Sequence, residues 1–580
     1  MLAHIIEQRL REAVASLIPE VDTSSILVQP CANPAFGDLQ TSAFISIAKA
    51  RGLNPRQFAQ TVVSRLNVED VSEPPEVAGP GFVNFRLKSA AITSVLKEAA
   101  AGKHLFFDVA ESPKTIVIDF SSPNVAKPMH VGHIRSTILG DCLARVLRLL
   151  GHKVITDNHL GDWGTQFGKL IVGWKKYLNR AALENDPGTE LERVYKLVNA
   201  ECESNPEVLE AARKELVKLQ AGDPENLRLW REMTSRSQVQ FDVLYKRLGV
   251  QFDYTLGESF YNPMLPQVVE ELVRRGIARE SEGAMVVFFE GDPELQAHPA
   301  IILKSDGAAN YATTDLATLE YRLKTWNPQE IIYVTDARQQ LHFKQIFAIF
   351  RRWHPEASHV KLVHVWFGSI LGPDGKPFKT RSGDTVKLAE LLDEAEERAL
   401  KIVDQKQPDL PEAERREIAR IVGIGAVKYA DLLPNRQSDY VFDWDKLLAL
   451  NGNTAPYLQY AYTRIQSIFR KRGHAATPAE PPASFALGHF ELESNHELRL
   501  AKHLLGFGTV LEAVAREYRP NYLCNYLFEL AGCFTDFYEN CPVLKAPEPT
   551  QSNRLLLCDL TARVLKQGLE VLGIGTPERM

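Results

Sequence analysis

At 580 residues the chain is long enough for about three or four domains, and with 45% hydrophobic residues it can bury a large core. No stretch approaches the ~20 apolar residues of a membrane helix, the first ten residues read as an amphipathic helix and not a signal peptide, and the seven cysteines include no Cys-x-x-Cys pair, so a cytoplasmic protein with no membrane contact, no structural zinc and no disulfide framework is expected. The net charge of -6 is not the basic footprint usual for a nucleic-acid binder, which leaves a local basic patch as the form such binding would take.

Residues 1–105 read as a small α/β domain. Leu2, Ile5, Ile6, Leu10, Ala13, Val14 and Leu17 make one face of a helix that ends at Pro19. Asn33-Pro34-Ala35-Phe36-Gly37-Asp38 is a loop leading to a helix through Ala43, Ile47 and Ala48. Asn54-Pro55 opens another helix, with proline in its first turn. Val77–Leu87 predicts a turn and then an alternating strand.

Ile116–Phe120 predicts a strand, Ser121–His133 a loop, Ile134–Leu150 a helix stopped by Gly151, and His152–Thr156 a second strand. Strand, loop, helix, strand is the opening unit of a doubly wound parallel sheet, which binds ligands beyond the carboxyl ends of its strands. The helix start is expected to offer unpaired N–H groups and the positive end of its dipole to a phosphate. His130 and His133, three residues apart, are placed to donate to phosphate oxygens and stabilise charge on a transferring phosphate, and Gly132 lets a flat ring approach the backbone. No Walker pattern of glycines and lysine is present, which excludes ordinary kinase or ATPase chemistry.

Asn158–Gly168, with three glycines, an acid and a tryptophan, suits a loop that wraps a ligand or a tight turn over a buried Trp163. Residues 176–250 are charged and helical, broken at Asp186-Pro187-Gly188, Asn205-Pro206 and Gly222-Asp223-Pro224. They predict a helical insertion whose charge runs are solvated faces. From 251 the α/β pattern returns, with strands at Ala284–Phe289, Ala300–Lys304, Glu330–Val334 and His364–Gly368. Polar clusters at Tyr311–Leu316 and Thr335–His342 fall at the ligand edge. Gly372–Asp384 is a glycine-rich basic loop, either a surface turn or a cover for phosphates. From about 410 the chain is nearly all helix, interrupted by a Pro-rich surface link at 477–483. In the helix from Asn453 to Arg472, Tyr457, Tyr460 and Tyr462 are placed to stack on unpaired bases or to fill a core.

The run Ser-Ser-Pro-Asn-Val-Ala-Lys-Pro-Met-His-Val-Gly-His-Ile-Arg-Ser-Thr at 121–137 resembles the signature of class I aminoacyl-tRNA synthetases, and within them the arginyl-tRNA synthetases. Gly37-Asp38, Asn54-Pro55 and Ala78-Gly79-Pro80-Gly81-Phe82 are similar to the N-terminal domain of that family, Asn158–Gly168 to its second ligand loop, and Asn453–Ala461 with the closing Pro577-Glu578-Arg579-Met580 to its helical anticodon-binding domain. The resemblance spans the whole chain. It implies a domain at 1–105 that contacts the outer corner of tRNA, a Rossmann-like catalytic domain at 106–405 with an insertion at about 176–250, and a helical anticodon-binding bundle at 406–580. It implies a monomer that ligates L-arginine to tRNA(Arg) through arginyl-adenylate, using ATP and Mg²⁺. It also implies roles: His130, His133 and Lys127 in catalysis; His130, Gly132, His133, His342, Lys379 and Arg381 on ATP; Asp119, Asn124, Tyr311, Asp315 and Gln339 on arginine; Tyr457 and Tyr460 on tRNA; no protein-ligated metal. The basic loop departs from the Lys-Met-Ser-Lys pattern of the class, because Pro377 and Thr380 stand where the two lysines would. Lys127 is implied to compensate, with Lys379 and Arg381 next.

A guanidinium pocket needs carboxylates in fork geometry. Asp119 ends a strand and Asp315 opens a helix at the same sheet edge, the latter also readable as an ordinary first-turn acid. An aliphatic amino acid would need an apolar pocket and usually an editing domain, and the sequence shows neither. Two other readings are another class I synthetase or small-molecule nucleotidyltransferase, disfavoured by the acids and the C-terminal helices, and a non-catalytic tRNA-binding relative, disfavoured by the intact His130, Gly132 and His133.

Overall fold

The computed structural model describes residues 1–31, 33–378, 385–472 and 490–580. The link at 477–483, Lys379 and Arg381 lie outside the described residues. The chain divides into two compact units: 1–109 with 449–571 and 575–580, and 110–448 with 572–574. Among the described residues no helix is long and apolar enough to cross a membrane.

In the first unit four short antiparallel strands lie in the order Gln29–Pro30, Leu39–Thr41, Phe82–Phe85, Glu76–Ala78. The run read as a turn and one strand is therefore a hairpin. Helices Leu2–Leu17, Ala43–Ala50, Pro55–Val63 and Ser89–Ala100 accompany the sheet. Asn54 caps the third of these, its side chain accepting from Gln57 N–H at 3.1 Å. Helices Ala455–Lys471, Asn495–Leu505, Phe507–Glu517, Asn521–Asn540 and Thr550–Val571 complete the unit. They share its core: Gly508 N–H donates to the Phe106 carbonyl at 3.1 Å, and Phe107 meets Phe507 edge-on at 6.1 Å.

The second unit is built on four parallel strands in the spatial order Lys153–Asp157, Thr115–Asp119, Glu330–Tyr333, Lys361–His364. The two central strands are near-continuous runs of buried Ile and Val, as a parallel sheet covered on both faces requires. Strand order reverses between Thr115–Asp119 and Glu330–Tyr333, and a crevice for ligands opens beyond the carboxyl ends at such a reversal. The periodicity predicts the fourth strand at His364–Gly368; it is Lys361–His364. Its partner ends at Tyr333, opposite His364, and the ladder ends with it. Phe367 and Gly368 turn to other partners, Ala337 N–H donating to the Phe367 carbonyl at 3.1 Å and Gly368 N–H to the Arg436 carbonyl at 2.9 Å.

One guanidinium draws the ligand edge of the sheet together. Asp119 lies in register with Asp157 on one side and Tyr333 on the other. Arg322, wholly buried on the helix Tyr311–Trp326, reaches 2.6 Å from Asp119 Oδ2 and 2.8 Å from Asp157 Oδ2, with its guanidinium 5.2 Å from the Tyr333 ring centre. Burial, with the Asp119 charge beside it, pushes the Asp157 carboxyl up against the pull of Arg322.

Arg322→Met would leave two buried carboxylates without a counter-charge. Urea unfolding of that variant is expected to lose about 3–5 kcal/mol. A loss below about 1 kcal/mol would mean that Arg322 is not what neutralises the pair.

Candidate active site

Thr115–Asp119 leads through residues 120–130 into the helix Val131–Leu149. His130 is its N-cap, and the first turn closes on itself. Gly132 N–H donates to His130 Nδ1 at 3.0 Å and His130 N–H to His133 Nδ1 at 3.1 Å. The helix start, expected to leave N–H groups free for a phosphate, is thus occupied: Val131 N–H goes to the Val386 carbonyl and His133 N–H to the His130 carbonyl, both at 2.9 Å. The same bonds fix the tautomers. With Nδ1 accepting on each ring, a neutral imidazole carries its proton on Nε2. Both rings are held neutral, because desolvation lowers His130 and, with His130 beside it, pushes His133 down to about 3. The loop therefore presents two Nε2–H donors on rings whose centres lie 4.0 Å apart. The flat ring that Gly132 admits is that of His130, since a Cβ at 132 would lie 2.8 Å from its Cε1.

Lys127 is exposed, with Nζ over the Tyr195 ring at 5.2 Å. Of the basic loop, the described residues show both flanks. A turn is closed by Gly372 N–H donating to the Lys376 carbonyl at 2.7 Å, and Leu388 N–H donates to the Met129 carbonyl at 2.9 Å, beside the Val131–Val386 bond. The second loop zips onto the first: Val125 N–H donates to the Gly161 carbonyl and Gly161 N–H to the Pro123 carbonyl, both at 3.1 Å. A Cβ at 161 would collide with the exposed Asn124 side chain, so glycine is what allows this approach.

Acids gather on the other side. The Asp162 carboxylate accepts from Ser259 N–H at 2.8 Å and from its hydroxyl at 2.6 Å, at the start of the short helix Glu258–Tyr261. This brings Glu258 close to Asp162 and Asp315. Burial and those two charges push its carboxyl up to about 8, against a stabilising bond from Trp163 N–H. Asp162 is itself raised by burial. Asp315 shares one face of the helix Tyr311–Trp326 with Tyr311 and Arg322, at helical spacing. Tyr311 is 72% exposed, Asp315 half-buried and Arg322 fully buried. Asp315 Oδ2 lies 2.5 Å from His342 Nε2. A carboxyl driven toward its protonated form by two neighbouring acidic charges marks a place that favours a cation.

Glu258 is absent from the sequence reading. Gly257-Glu258-Ser259 carries no motif, and an acid at a helix start reads as an ordinary N-terminal charge. Asp119, implied on arginine, has a protein partner on each oxygen: Arg322, shared with Asp157, reaches Oδ2 at 2.6 Å and the Ser122 hydroxyl donates to Oδ1 at 3.0 Å. His342, implied on the nucleotide, bonds Asp315 instead. Gln339 is exposed at the N-cap of the helix Gln340–Trp353. Tyr457 and Tyr460 belong to the other compact unit, on Ala455–Lys471. Tyr457 is half-buried with its ring 5.6 Å from Phe528, Tyr460 is 46% exposed, and Tyr462 is core.

Comparison with known proteins matches three family models. The class I tRNA synthetase (R) catalytic domain matches residues 94–444, the arginyl tRNA synthetase N-terminal domain residues 2–87, and the DALR anticodon binding domain residues 458–580. The chain is similar to an arginine–tRNA ligase of Synechococcus sp., 46% identical over 590 residues, covering 100% of this chain and 99% of that one. It is similar to one of Shigella sonnei, 45% identical over 581 residues, covering 99% of each. Among solved structures it resembles arginyl-tRNA synthetases from Plasmodium falciparum (TM-score 0.83, 30% identity, covering 100% of this chain and 99% of that one) and Thermus thermophilus (TM-score 0.84, 26% identity, covering 100% of each).

Glu258, pushed up to about 8, holds a proton at neutral pH when no cation is bound. A guanidinium favours the ionised form, so its binding expels that proton and tightens as pH rises toward 8. Calorimetric titration with a guanidinium ligand near pH 7, in buffers of different ionisation enthalpy, is expected to report release of about one proton. Buffer-independent heats would mean that Glu258 is already ionised.

Proposed function

This chain belongs to the class I arginyl-tRNA synthetases, and from that membership we propose that its crevice binds ATP at the two-histidine loop and arginine at the acid cluster. It is an arginine–tRNA ligase. The arginine carboxylate attacks the α-phosphorus of ATP and pyrophosphate leaves. A terminal ribose hydroxyl of tRNA(Arg) then takes the arginyl group from the adenylate and AMP is released.

Such chemistry needs positioning and charge stabilisation more than covalent catalysis. His130 and His133 donate Nε2–H to phosphate oxygens as charge moves onto the leaving pyrophosphate. Both rings are already neutral, so neither has to lose a proton first. Lys127 supplies the mobile cation missing from the departed lysine pattern, with Lys379 and Arg381 next. Mg²⁺ arrives on the triphosphate. The donors on that side are imidazole N–H groups and an ammonium, which fit phosphate oxygens and not a divalent cation, and magnesium binds largely through substrate phosphates.

Asp315 and Glu258 hold the guanidinium, Tyr311 lies along the side chain, and Asn124 and Gln339 take the α-amino and carboxylate groups. Asp119 acts by shaping the loop, and His342 orients Asp315 while leaving its other face to the nucleotide. Tyr460 stacks on an unpaired base with Tyr457 behind it. Residues 1–105 contact the tRNA corner, 106–405 carry the chemistry and 406–580 read the anticodon, in a monomeric cytoplasmic enzyme. The observation that supports this reading most is the meeting, at one sheet edge, of two fixed Nε2–H donors and a cluster of carboxylates.

Arginine-dependent ATP–pyrophosphate exchange, with and without tRNA(Arg), tests it. His130→Ala is expected to lower kcat about 10²–10³-fold. Wild-type exchange in that variant would remove the imidazole from the chemistry. Asp315→Ala is expected to raise the KM for arginine roughly 10- to 100-fold, the loss of a charge-assisted hydrogen bond. An unchanged KM would make Asp315 a helix-start acid and nothing more.

A further inference from the structure

Residues 121–126 hold a dense run of left-handed backbone. Ser121 (φ 73°), Ser122 (φ 48°) and Ala126 (φ 64°) all sit where an L-residue with a side chain is strained. Such a conformation persists only when its surroundings over-determine it. The partners that do so come in large part from the helix Pro224–Leu248, which the sequence reading treats as a solvated insertion. Ala126 N–H donates to Ser237 Oγ at 3.0 Å. Ser121 Oγ lies 2.8 Å from Tyr245 OH, which also accepts from Asn158 Nδ2 at 3.1 Å, while Asn158 Oδ1 accepts from Ser122 N–H at 3.1 Å. Ser121 Oγ is also 2.8 Å from Thr137 Oγ1, itself 2.8 Å from the His133 carbonyl. A chain of polar groups therefore runs from Asn158 through Tyr245, Ser121 and Thr137 to His133. Ser237 and Tyr245 are both buried, on one face of the helix.

We propose that Tyr245 is a positioning residue for nucleotide binding, its hydroxyl holding the strained loop in the conformation that presents His130 and His133. Ser237 holds the same loop at Ala126. This rests on the reading that the loop binds ATP. Tyr245 touches no substrate in this scheme. Its ring is anchored separately, edge-on to Phe252 at 5.0 Å, and Phe252 in turn packs on Phe120 at 4.5 Å. Tyr245→Phe thus removes the polar link and keeps the packing.

In arginine-dependent ATP–pyrophosphate exchange, Tyr245→Phe is expected to raise the KM for ATP and lower kcat, together roughly 10- to 100-fold in kcat/KM, as for the loss of the two buried hydrogen bonds to Ser121 and Asn158. The KM for arginine should stay within about twofold. Ser237→Ala, which leaves the Tyr245 link intact, should show the same split. Ser121→Ala, which also cuts the Thr137 bond, combined with Tyr245→Phe should cost less than the sum of the two single changes, because both remove the Ser121–Tyr245 link. The proposal is overturned if Tyr245→Phe and Ser237→Ala leave both ATP parameters unchanged, or if the arginine KM rises in step with that of ATP, the mark of general loosening. His130→Ala separates the two levels: full exchange in that variant removes the ATP reading itself, whereas loss there with silent Tyr245→Phe and Ser237→Ala removes only the positioning role.

Discussion

Two carboxylates end neighbouring parallel strands, and everything at the ligand edge follows from how they are neutralised. Register sets Asp119 beside Asp157, where they repel unless a cation stands between them. Arg322 is that cation. A buried arrangement of this kind adds little net stability over apolar packing, because desolvating three charges offsets most of their attraction. What it does is choose a geometry. The helix bearing Arg322 is pinned at that point, and Asp315 and Tyr311 follow on the same helix face, the first half-buried and the second exposed. The same ion pair ties Asp119 to the helix, and the Ser122 hydroxyl ties it to the loop.

At the two-histidine loop the constraint is protonation. A charged imidazole would bind phosphate more strongly, yet it would also fix the proton count to the pH of the surroundings. Desolvation removes that dependence by keeping His130 and His133 neutral, and the backbone bonds to Nδ1 ensure that the remaining proton faces away from the helix. In the proposed reading charge is then left to Lys127, and the fixed donors would cost no reorganisation when negative charge moves, the condition under which hydrogen bonds contribute most to catalysis.

Elements with strong periodicity were legible in the sequence: the parallel strands, the helix after the signature and the helical insertion. So was the signature, because its residues are contiguous. The misreadings share a cause, which is that they depend on partners distant in the chain. The end of the fourth strand depends on where Tyr333 stops. The helix start is occupied because His130 and His133 fold back on it and Val386 arrives from beyond the basic loop. Glu258 becomes part of a pocket only when Ser259 closes on Asp162. Ser237 and Tyr245 sit in a charged amphipathic pattern in which two buried hydroxyls leave no trace of periodicity. Asp119 was legible as an acid at a strand end, but nothing local reveals that Arg322, some two hundred residues later, reaches its carboxylate.

As the proposed arginine pocket, the acid cluster would select its ligand by charge and geometry. For a neutral or aliphatic side chain the Glu258 carboxyl would stay protonated and the Asp315 charge would be left to His342 alone, with no ligand charge to answer it. A lysine ammonium would answer the charge but not the geometry, because it is a point charge with three rotating donors and cannot bridge two carboxylates with the rigid fork that a guanidinium offers. Sites that leave polar groups unpaired reject the wrong ligand far more strongly than sites that merely lose a methylene contact. In that reading discrimination lies in the electrostatic cost of leaving the acids without a ligand cation, a cost set by the burial that already raises the Glu258 carboxyl.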